Sequence, residues 1–182
     1  EEIAEIAKSS GAEVPFLRPT SLAGDNVGNT IACLDMINKL NIEENKKNYF
    51  CMLQATCPLI LSKDIDKVIN EFDTKNDDAA VSVTKFDYPI ESVFEKNDKG
   101  YLVNVIRNKY KRDFTVGNRQ SFGNRFAISG AISILRVKNL MYDSEYLYTS
   151  KKVKAVQISD KSGWDIDNLF QFQIAEYLLK NK

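Results

Sequence analysis

Two aspartates one residue apart, Asp165 and Asp167, lie in the segment Trp164–Asn168, between an apolar strand-like stretch and the final amphipathic helix. In an extended segment, side chains two positions apart point to the same side, so the two carboxylates can converge. Such a pair suits a hard divalent cation held against a phosphate. Together with the turn-like segment Gln54–Pro58, it indicates nucleotidyl transfer. The competing interpretation is that Asp167 or Asn168 caps the last helix while Asp165 is solvated.

The chain contains no histidine, which narrows the chemistry available to it. Ser-His and Cys-His nucleophilic pairs, imidazole zinc sites and histidine acid/base catalysis are excluded, which leaves carboxylates, lysine, arginine and metal as catalytic groups. The cysteines Cys33, Cys51 and Cys57 are odd in number and lack Cys-x-x-Cys spacing. Reduced thiols in a cytoplasm are therefore favoured over disulfides.

Composition favours one globular domain over residues 1–182, with 43% hydrophobic residues and with 25 basic and 25 acidic side chains that cancel. A zero net charge argues against general affinity for nucleic acid or for an anionic membrane. No apolar run approaches the roughly 20 residues that span a bilayer, and the acidic start is unlike a secretory signal. We therefore expect a cytoplasmic protein with neither nucleic acid nor membrane as a partner.

Helix-period and strand-like segments alternate along the chain, which predicts an α/β architecture with a largely parallel sheet. The predicted helices are residues 1–10, a helix from Asn29 or Thr30 to about 42, a helix capped by Ser62, and residues 168–180 with Phe170, Ile174, Tyr177 and Leu178 on one face. The predicted strands are 49–53, 78–84, 126–137 and 153–158, with a hairpin around 97–100 and with 14–17 as an edge strand or extended connection. The near-continuous apolar run 49–53 predicts a central strand, and 49–84 a right-handed β-α-β unit.

Positive charge collects in residues 107–125, where six basic residues face one acidic residue, Asp113. The basic residues are Arg107, Lys109, Lys111, Arg112, Arg119 and Arg125. Two interpretations remain open for this stretch: a solvated loop or oligomer contact, and a site that binds an anion.

Several motifs, in order along the chain, carry a resemblance to a known family. The segments Glu13–Pro19, Leu22–Asp25, Leu53–Leu59 and Asp165–Asp167 resemble the ordered motifs of the bacterial acylneuraminate cytidylyltransferases. These are the CMP-sialic acid synthetases, with the CMP-pseudaminic and CMP-legionaminic acid synthetases as close relatives. Asn118-Arg119-Gln120, followed by a strand that contains Ser129-Gly130-Ala131, is similar to the family's Pro-Arg-Gln and Asn-Gly-Ala segments. The resemblance covers essentially the whole chain.

The resemblance implies a Rossmann-like, three-layer nucleotidyltransferase fold with a mostly parallel sheet. The implied reaction transfers CMP from CTP to the anomeric hydroxyl of a nine-carbon acidic sugar, with Mg²⁺, and releases pyrophosphate. Asp165 and Asp167 would hold the Mg²⁺, and one of them could also help to deprotonate the sugar hydroxyl. A cation is needed because an anionic sugar must attack an anionic triphosphate.

The resemblance also implies residues that bind the substrates. Gln54 and Thr56, at the end of the central strand, would contact the sugar acid, and Arg119 would pair with its carboxylate through a planar fork. The alternative for Gln54 is an ordinary loop amide.

On the nucleotide side, Arg18 would lie near the cytosine nucleotide. Asn29 and Thr30 begin a helix, whose first backbone N–H groups can bind an anion. The alternative for these three residues is plain helix capping and surface ion pairing.

Two departures from the family pattern matter. Ala55, Cys57 and Ile60 stand where many sialic acid synthetases have proline, serine and arginine, and this form looks more like the pseudaminic acid branch. N-acetylneuraminic, pseudaminic and legionaminic acids all remain candidate substrates.

The family's first strand and its basic Gly-rich loop, which should precede residue 1, are missing from this sequence. We therefore expect little synthetase activity from this chain alone, and an exposed strand edge.

Two other functions stay open. Another sugar nucleotidyltransferase, such as a CMP-3-deoxy-manno-octulosonate synthetase, would share the fold and the metal chemistry. An inactive, truncated binding or assembly form would bind CMP or sugar acid without turnover.

The segment 107–150 resembles the family's projecting dimerisation segment, so a homodimer is expected. The alternative is that this segment is a surface insertion.

Overall fold

The structure is a computed structural model that describes residues 2–24, 26–43, 48–88, 90–105, 124–142 and 152–181. It consists of two compact units, each described by itself below. The first comprises Glu1–Phe50 and Leu135–Lys151, and the second Cys51–Ile134 and Lys152–Lys182. The expectation of a single domain over residues 1–182 stays a prediction.

The helices and strands lie close to the predicted positions, except that the helix Val137–Tyr142 was not predicted. The helices are α1 (Glu2–Ser9), α2 (Asn29–Lys39), α3 (Ser62–Glu71), α4 (Val137–Tyr142) and α5 (Leu169–Lys180), with 3-10 turns at Thr20–Leu22 and Ile90–Ser92. The strands are β1 (Tyr49–Leu53), β2 (Ala79–Lys85), β3 (Phe94–Lys96), β4 (Leu102–Asn104), β5 (Phe126–Arg136) and β6 (Val153–Gln157). Residues 14–17 form an extended connection, the second of the two options left open by the sequence.

The main sheet has the strand order β1-β5-β2-β6. β2 and β6 are parallel, with Ala79 opposite Val153. β5 runs against β2, because the N–H of Phe86 donates to the carbonyl of Arg125 while the side chains of Ser82 and Ser129 meet further along. β5 likewise runs against β1. The α/β class is therefore confirmed, whereas the mostly parallel sheet is wrong, and the Rossmann-like three-layer arrangement stays a prediction.

The chain between β2 and β5 explains the antiparallel strand. A parallel pair needs a long crossover, usually through a helix, whereas an antiparallel strand can return by turns alone. The described part of this connection contains a 3-10 turn and the antiparallel ribbon β3–β4, in which Phe94 lies opposite Asn104. The predicted hairpin is confirmed, since the Asn97 side-chain oxygen accepts the N–H groups of Lys99 and Tyr101.

The prediction that residues 49–53 form a central strand is wrong. β1 lies at an edge of the sheet that the described residues form, and Cys51 and Leu53 on one of its faces are exposed. An apolar run fits a doubly covered strand, but here only one face is well covered. The central, fully buried strand is β2, whose residues Ala79–Val83 are all buried. β5 lies between β1 and β2, so these two strands are not neighbours.

Helices α3 and α5 contribute to the core of the second unit with fewer residues than the periodicity predicts. Val68 is fully buried on α3, and Ala175 is buried on α5. Ser62 is not the cap of α3 but its first residue: Leu61 occupies the cap position, and its N–H donates to the Asp64 carboxylate at 3.2 Å. On α5, Phe170 and Tyr177 are exposed rather than buried with their neighbours.

None of the described helices combines the length and the apolar character that a membrane span requires.

Arg125, the last basic residue of the stretch 107–125, is held in a bidentate ion pair with Glu91. Its Nη2 lies 2.6 Å from Glu91 Oε1, and its Nη1 donates to Oε2. The Asn104 side-chain amide donates to the Glu91 carbonyl at 2.6 Å. Arg125 thus connects the start of β5 to the 3-10 turn before β3. The other five basic residues, and most of the predicted dimerisation segment 107–150, lie outside the described residues.

We expect the Glu91–Arg125 pair to make the stability of the folded protein fall as the pH is lowered into the acidic range. Hydrogen bonds from Arg125 lower the pKa of the Glu91 carboxyl below its usual value of 4.5. The stabilisation is therefore fully present above pH 4.5 and is lost as the pH falls through the lower pKa of the folded state. Glu91→Gln should lower the thermal midpoint at pH 7 and flatten the fall of that midpoint below pH 4.5. Thermal unfolding from pH 7 to 3 measures both effects, with Glu95→Gln as an exposed control; parallel curves for wild type and Glu91→Gln would contradict this expectation.

Candidate active site

The candidate site lies at the edge of the sheet where the three strands that run in one direction end. In an open α/β sheet this edge is the usual place for a ligand. Gln54 directly follows β1, and its N–H donates to the Ala131 carbonyl of β5 at 3.1 Å. The segment 158–168 follows β6, and Phe86 follows β2. Side chains distant in sequence are thereby collected at one edge.

A tight turn carries the residues that follow β1. The N–H of Cys57 donates to the Gln54 carbonyl at 3.1 Å. Gln54 is half-buried, Thr56 is exposed and Cys57 is only 2% exposed. The buried cysteine anchors the turn, while the two residues implied in sugar binding remain accessible.

The segment after β6 is held down by a compact serine and glycine turn. Ser162 is buried, and its hydroxyl lies 2.8 Å from that of Ser159, whose oxygen also accepts the Ser162 N–H. The N–H of Gly163 donates to the Ser159 carbonyl at 3.0 Å. A methyl group at Gly163 would lie only 2.5 Å from Thr84 Cγ2 and 3.0 Å from Ser129 Cβ. The backbone therefore approaches β2 and β5 at a distance that only glycine permits.

The turn after β1 and the segment after β6 are joined directly. The N–H of Ile166 donates to the Thr56 carbonyl at 3.0 Å. The Cys57 thiol donates to Asp165 Oδ1 at 3.7 Å, a contact between residues 108 positions apart. The same Oδ1 accepts the N–H of Ile166 at 3.0 Å. The structure thus brings Gln54 and Thr56 together with Asp165.

The first turn of α5 identifies the residue that caps this helix and confirms the Asn168 part of the alternative interpretation. Asn168 is the cap: its side chain accepts the N–H of Gln171 at 3.0 Å, and the Gln171 side chain accepts the N–H groups of Asn168 and Asp167. Asp165 is half-buried rather than solvated, and Asp167 is exposed. Within the described part of the chain, no donor reaches the Asp167 carboxylate or Asp165 Oδ2. These oxygens are therefore available to a ligand.

The carboxylates of Asp165 and Asp167 both raise the pKa of the same buried thiol, that of Cys57. Burial, followed by the negative charge and hydrogen bond of Asp165 and the charge of Asp167, raises the pKa of Cys57 to about 11. The two aspartates thus generate negative potential in one small region. A thiol with this pKa stays protonated near neutral pH, so it remains a hydrogen-bond donor to Asp165.

We expect Cys57 to be the slowest of the three thiols to react with iodoacetamide in metal-free buffer at pH 8. Its thiolate fraction there is about 0.1%, and its side chain is nearly inaccessible. Cys51, which is exposed on β1, serves as the internal comparison. Mass spectrometry of digested samples over a time course gives the order of labelling. Labelling of Cys57 at the rate of Cys51 would show that the turn opens readily.

The donor set at Asp165 and Asp167 fits Mg²⁺. The described residues contain no group of three or more ligating side chains. Mg²⁺ is commonly bound through one or two carboxylates together with substrate phosphates and water, rather than by an all-protein cage. Two carboxylates beside the turn after β1 fit that pattern, and their role in holding Mg²⁺ stays a prediction.

The residues expected on the nucleotide side belong to the first unit. Arg18 is exposed and lines a cavity of about 490 Å³ together with apolar residues such as Val14 and Phe16. α2 begins at Asn29 after the cap residue Gly28, as the sequence predicts, and Thr30 is half-buried. The roles of these residues in binding stay predictions. Arg119 lies outside the described residues.

Sequence reasoning missed three residues that position the site: Cys57, Gly163 and Gln171. The capping pattern Asn-x-x-Gln at 168–171 was readable, and it would have assigned the cap to Asn168. Nothing local in the sequence marks the close approach of Gly163 to β2 or the contact of Cys57 with Asp165, because both contacts depend on tertiary structure.

Two proteins of Campylobacter jejuni, each named pseudaminic acid cytidylyltransferase, are similar to the chain. That of strain 81-176 is 29% identical over 111 residues, and that of strain NCTC 11168 is 33% identical over 112 residues. Each alignment covers 61% of this chain, which spans about half (48%) of the relative's length. No family model matches the chain.

A third relative aligns over the entire chain. The Campylobacter coli protein named post-translational flagellin modification protein B is 28% identical over 186 aligned positions, which cover 100% of this chain and 74% of that protein. The resemblance found in the sequence is thereby confirmed: the chain is similar to proteins named pseudaminic acid cytidylyltransferase and to a flagellin modification protein.

Proposed function

We propose that this chain acts in a CMP-nonulosonic acid synthetase, which transfers CMP from CTP to the anomeric hydroxyl of a sugar acid and releases pyrophosphate. One observation carries the proposal most directly: the Ile166–Thr56 backbone hydrogen bond holds the Gln54 turn beside Asp165. A sugar-binding turn and a metal-binding carboxylate must lie side by side for a metal to align the sugar hydroxyl with the triphosphate.

The residues have distinct roles in this proposal. Asp165 and Asp167 would hold Mg²⁺, which would neutralise phosphate charge when bound. The Cys57 thiol and the Ile166 N–H fix the orientation of the Asp165 carboxylate through Oδ1. Gln54 and Thr56 bind the sugar acid. Arg18 and the start of α2 at Asn29 and Thr30 bind the nucleotide, and Arg119 pairs with the sugar carboxylate.

Pseudaminic acid is the substrate we favour. Two of the similar proteins carry that name, and the Gln54-Ala55-Thr56-Cys57 turn fits the same branch of the family.

We further propose that the enzyme is a cytoplasmic homodimer. A monomer found by analytical ultracentrifugation would rule out the dimer without affecting the proposed reaction.

Pyrophosphate release from CTP and Mg²⁺ tests the reaction, with N-acetylneuraminic, pseudaminic and legionaminic acids compared in parallel. The assay uses this chain and an N-terminally extended form that carries the basic Gly-rich loop of the family. We expect turnover in the extended form, highest with pseudaminic acid. If neither form releases pyrophosphate while both are folded by circular dichroism, the reaction is not theirs, and a binding or assembly role takes its place.

A further inference from the structure

The middle of β5 contains a β-bulge, where extra residues lie opposite one residue of the neighbouring strand β2. Ser82 of β2 meets two residues of β5 that do not adjoin each other. Its hydroxyl lies 2.7 Å from that of Ser129 and accepts the N–H of Ile132 at 2.9 Å. Between these two residues, Gly130 has a φ of +74°, in the left-handed region that favours glycine.

Two buried serine hydroxyls satisfy the main chain of this bulge. The Ser82 hydroxyl accepts the N–H of Ile132 and donates to the carbonyl of the same residue at 3.1 Å. The Ser129 hydroxyl donates to the Ser82 carbonyl at 3.1 Å and accepts the N–H of Ala131 at 3.4 Å. Both serines and Ile132 are buried, so the hydroxyls take the place of partners that a regular ladder would supply. The shape of the bulge therefore depends on these two side chains.

The bulge touches both halves of the candidate site. The Ala131 carbonyl accepts the N–H of Gln54 at 3.1 Å and so holds the turn after β1. Ser129 packs against the segment that carries Asp165, since a methyl group at Gly163 would lie 3.0 Å from Ser129 Cβ. A shift of the bulge would move the turn relative to this segment.

We infer that Ser82 and Ser129 are positioning residues, whose hydroxyls fix the bulge of β5 and thereby the spacing between the Gln54 turn and the Asp165 carboxylate. The inference rests on the proposed function and adds to it two buried residues that act through their neighbours. Spacing matters for a reaction between two bound substrates, because a misplacement of about 1 Å can cost about 100-fold in rate.

Hydrogen exchange of this chain tests the link without any reaction. Ser129→Ala removes the acceptor of the Ala131 N–H but leaves both bonds between Ser82 and Ile132, so the strand should still form. We expect the amides of Gln54 and Ile166 to exchange about tenfold faster, as measured by NMR.

Ser133→Ala is the matched control for this experiment, because it removes another buried hydroxyl from β5 beyond the bulge. It should leave exchange of the Gln54 and Ile166 amides unchanged. Unchanged exchange in Ser129→Ala, or an equal acceleration throughout β2, would overturn the inference.

Two variants of Gly130 test the bulge itself. Among the described residues, nothing beyond its chain neighbours lies within 4 Å of the position that a Cβ of Gly130 would take. Gly130→Ala and Gly130→Asn are therefore strained by the backbone and not by a clash, and asparagine tolerates a positive φ better than alanine does. We expect faster exchange of the Gln54 amide in Gly130→Ala, largely recovered in Gly130→Asn. Slow exchange in both variants would show that the bulge does not control the turn.

Steady-state kinetics of the N-terminally extended form test the consequence for the reaction. Ser129→Ala should lower kcat about tenfold and leave KM for CTP and for the sugar acid within twofold, because both substrates still bind but are poorly aligned. Ser133→Ala should keep the wild-type kcat when all forms are assayed well below their thermal midpoints.

The proposed function and this inference fail in different ways. If the extended form releases pyrophosphate and Ser129→Ala keeps the wild-type kcat, the inference alone falls. If exchange changes as expected but neither form releases pyrophosphate, the proposed function falls, while the link between the serines and the turn stands.

Discussion

Asp165→Asn and Asp167→Asn are each expected to lower pyrophosphate release by the extended form about 100-fold or more, since a bound metal contributes several kcal/mol to charge stabilisation in the transition state. The amide side chain of Asp165→Asn would retain an oxygen for the N–H of Ile166, so the fold should survive the change. The loss should therefore reflect chemistry and not unfolding. Asp66→Asn, which alters an exposed carboxylate on α3, is the matched control and should keep wild-type activity.

Titration with Mg²⁺ separates the roles of the two aspartates. Loss of a ligand should raise the Mg²⁺ concentration needed for half-maximal rate, whereas loss of a general base should lower the rate even at saturating metal. Asp165 already accepts two hydrogen bonds at Oδ1, while Asp167 is exposed. We expect the ligand pattern for both variants. Activity within twofold of wild type in either would exclude that residue from the metal site.

Gly163→Ala should lower both stability and activity because of where its methyl group would lie. That carbon would stand 2.5 Å from Thr84 Cγ2 and 3.0 Å from Ser129 Cβ. Replacing glycine by alanine usually stabilises a protein by about 0.4–1 kcal/mol through the unfolded chain. Overpacking costs about 1–3 kcal/mol, so the clash should prevail. The expected result is a lower free energy of unfolding in urea and a larger proportional loss of turnover, since the displaced segment carries Asp165.

Two variants check this explanation. Gly24→Ala places its methyl no closer than 4.0 Å to Val27 and should leave the urea midpoint nearly unchanged. Thr84→Ser removes Cγ2 and should restore part of the stability when combined with Gly163→Ala. Equal losses from Gly163→Ala with and without Thr84→Ser would show that the contact with β2 is not responsible.

Local pattern located the elements but did not determine how they pair. β2 and α3 were predictable because their residue patterns are those of a buried strand and of an amphipathic helix. The direction of β5 was not predictable in this way, since residues 126–137 look the same whether the strand runs parallel or antiparallel. The apolar run 49–53 led to a prediction of too much burial. Residue types show that a strand can be buried, but they do not show which elements pack against it.

The candidate site also has one part that residue types alone predict and another part that only the fold shows. Asp165 and Asp167 were found because two carboxylates at this spacing carry a chemical meaning without any tertiary information. Residue types and the family resemblance both associated the aspartates with the Gln54 turn, but the contact of Asp165 with that turn is seen only in the fold. Cys57 was noted as a reduced thiol and as a departure from a serine, and its hydrogen bond to Asp165 emerged from the fold.

The hydrogen bond between Ile166 and Thr56 uses main-chain atoms alone. This link therefore does not depend on the side chains of Ala55 or Thr56, whereas Cys57 is tied to Asp165 through its thiol. Under the proposed function, Ala55 can be exchanged to suit a different sugar acid while the main-chain link to the Asp165 segment is kept. The proposed cytidylyl transfer can in this way be adapted to different sugar acids without a change in the backbone that positions Asp165.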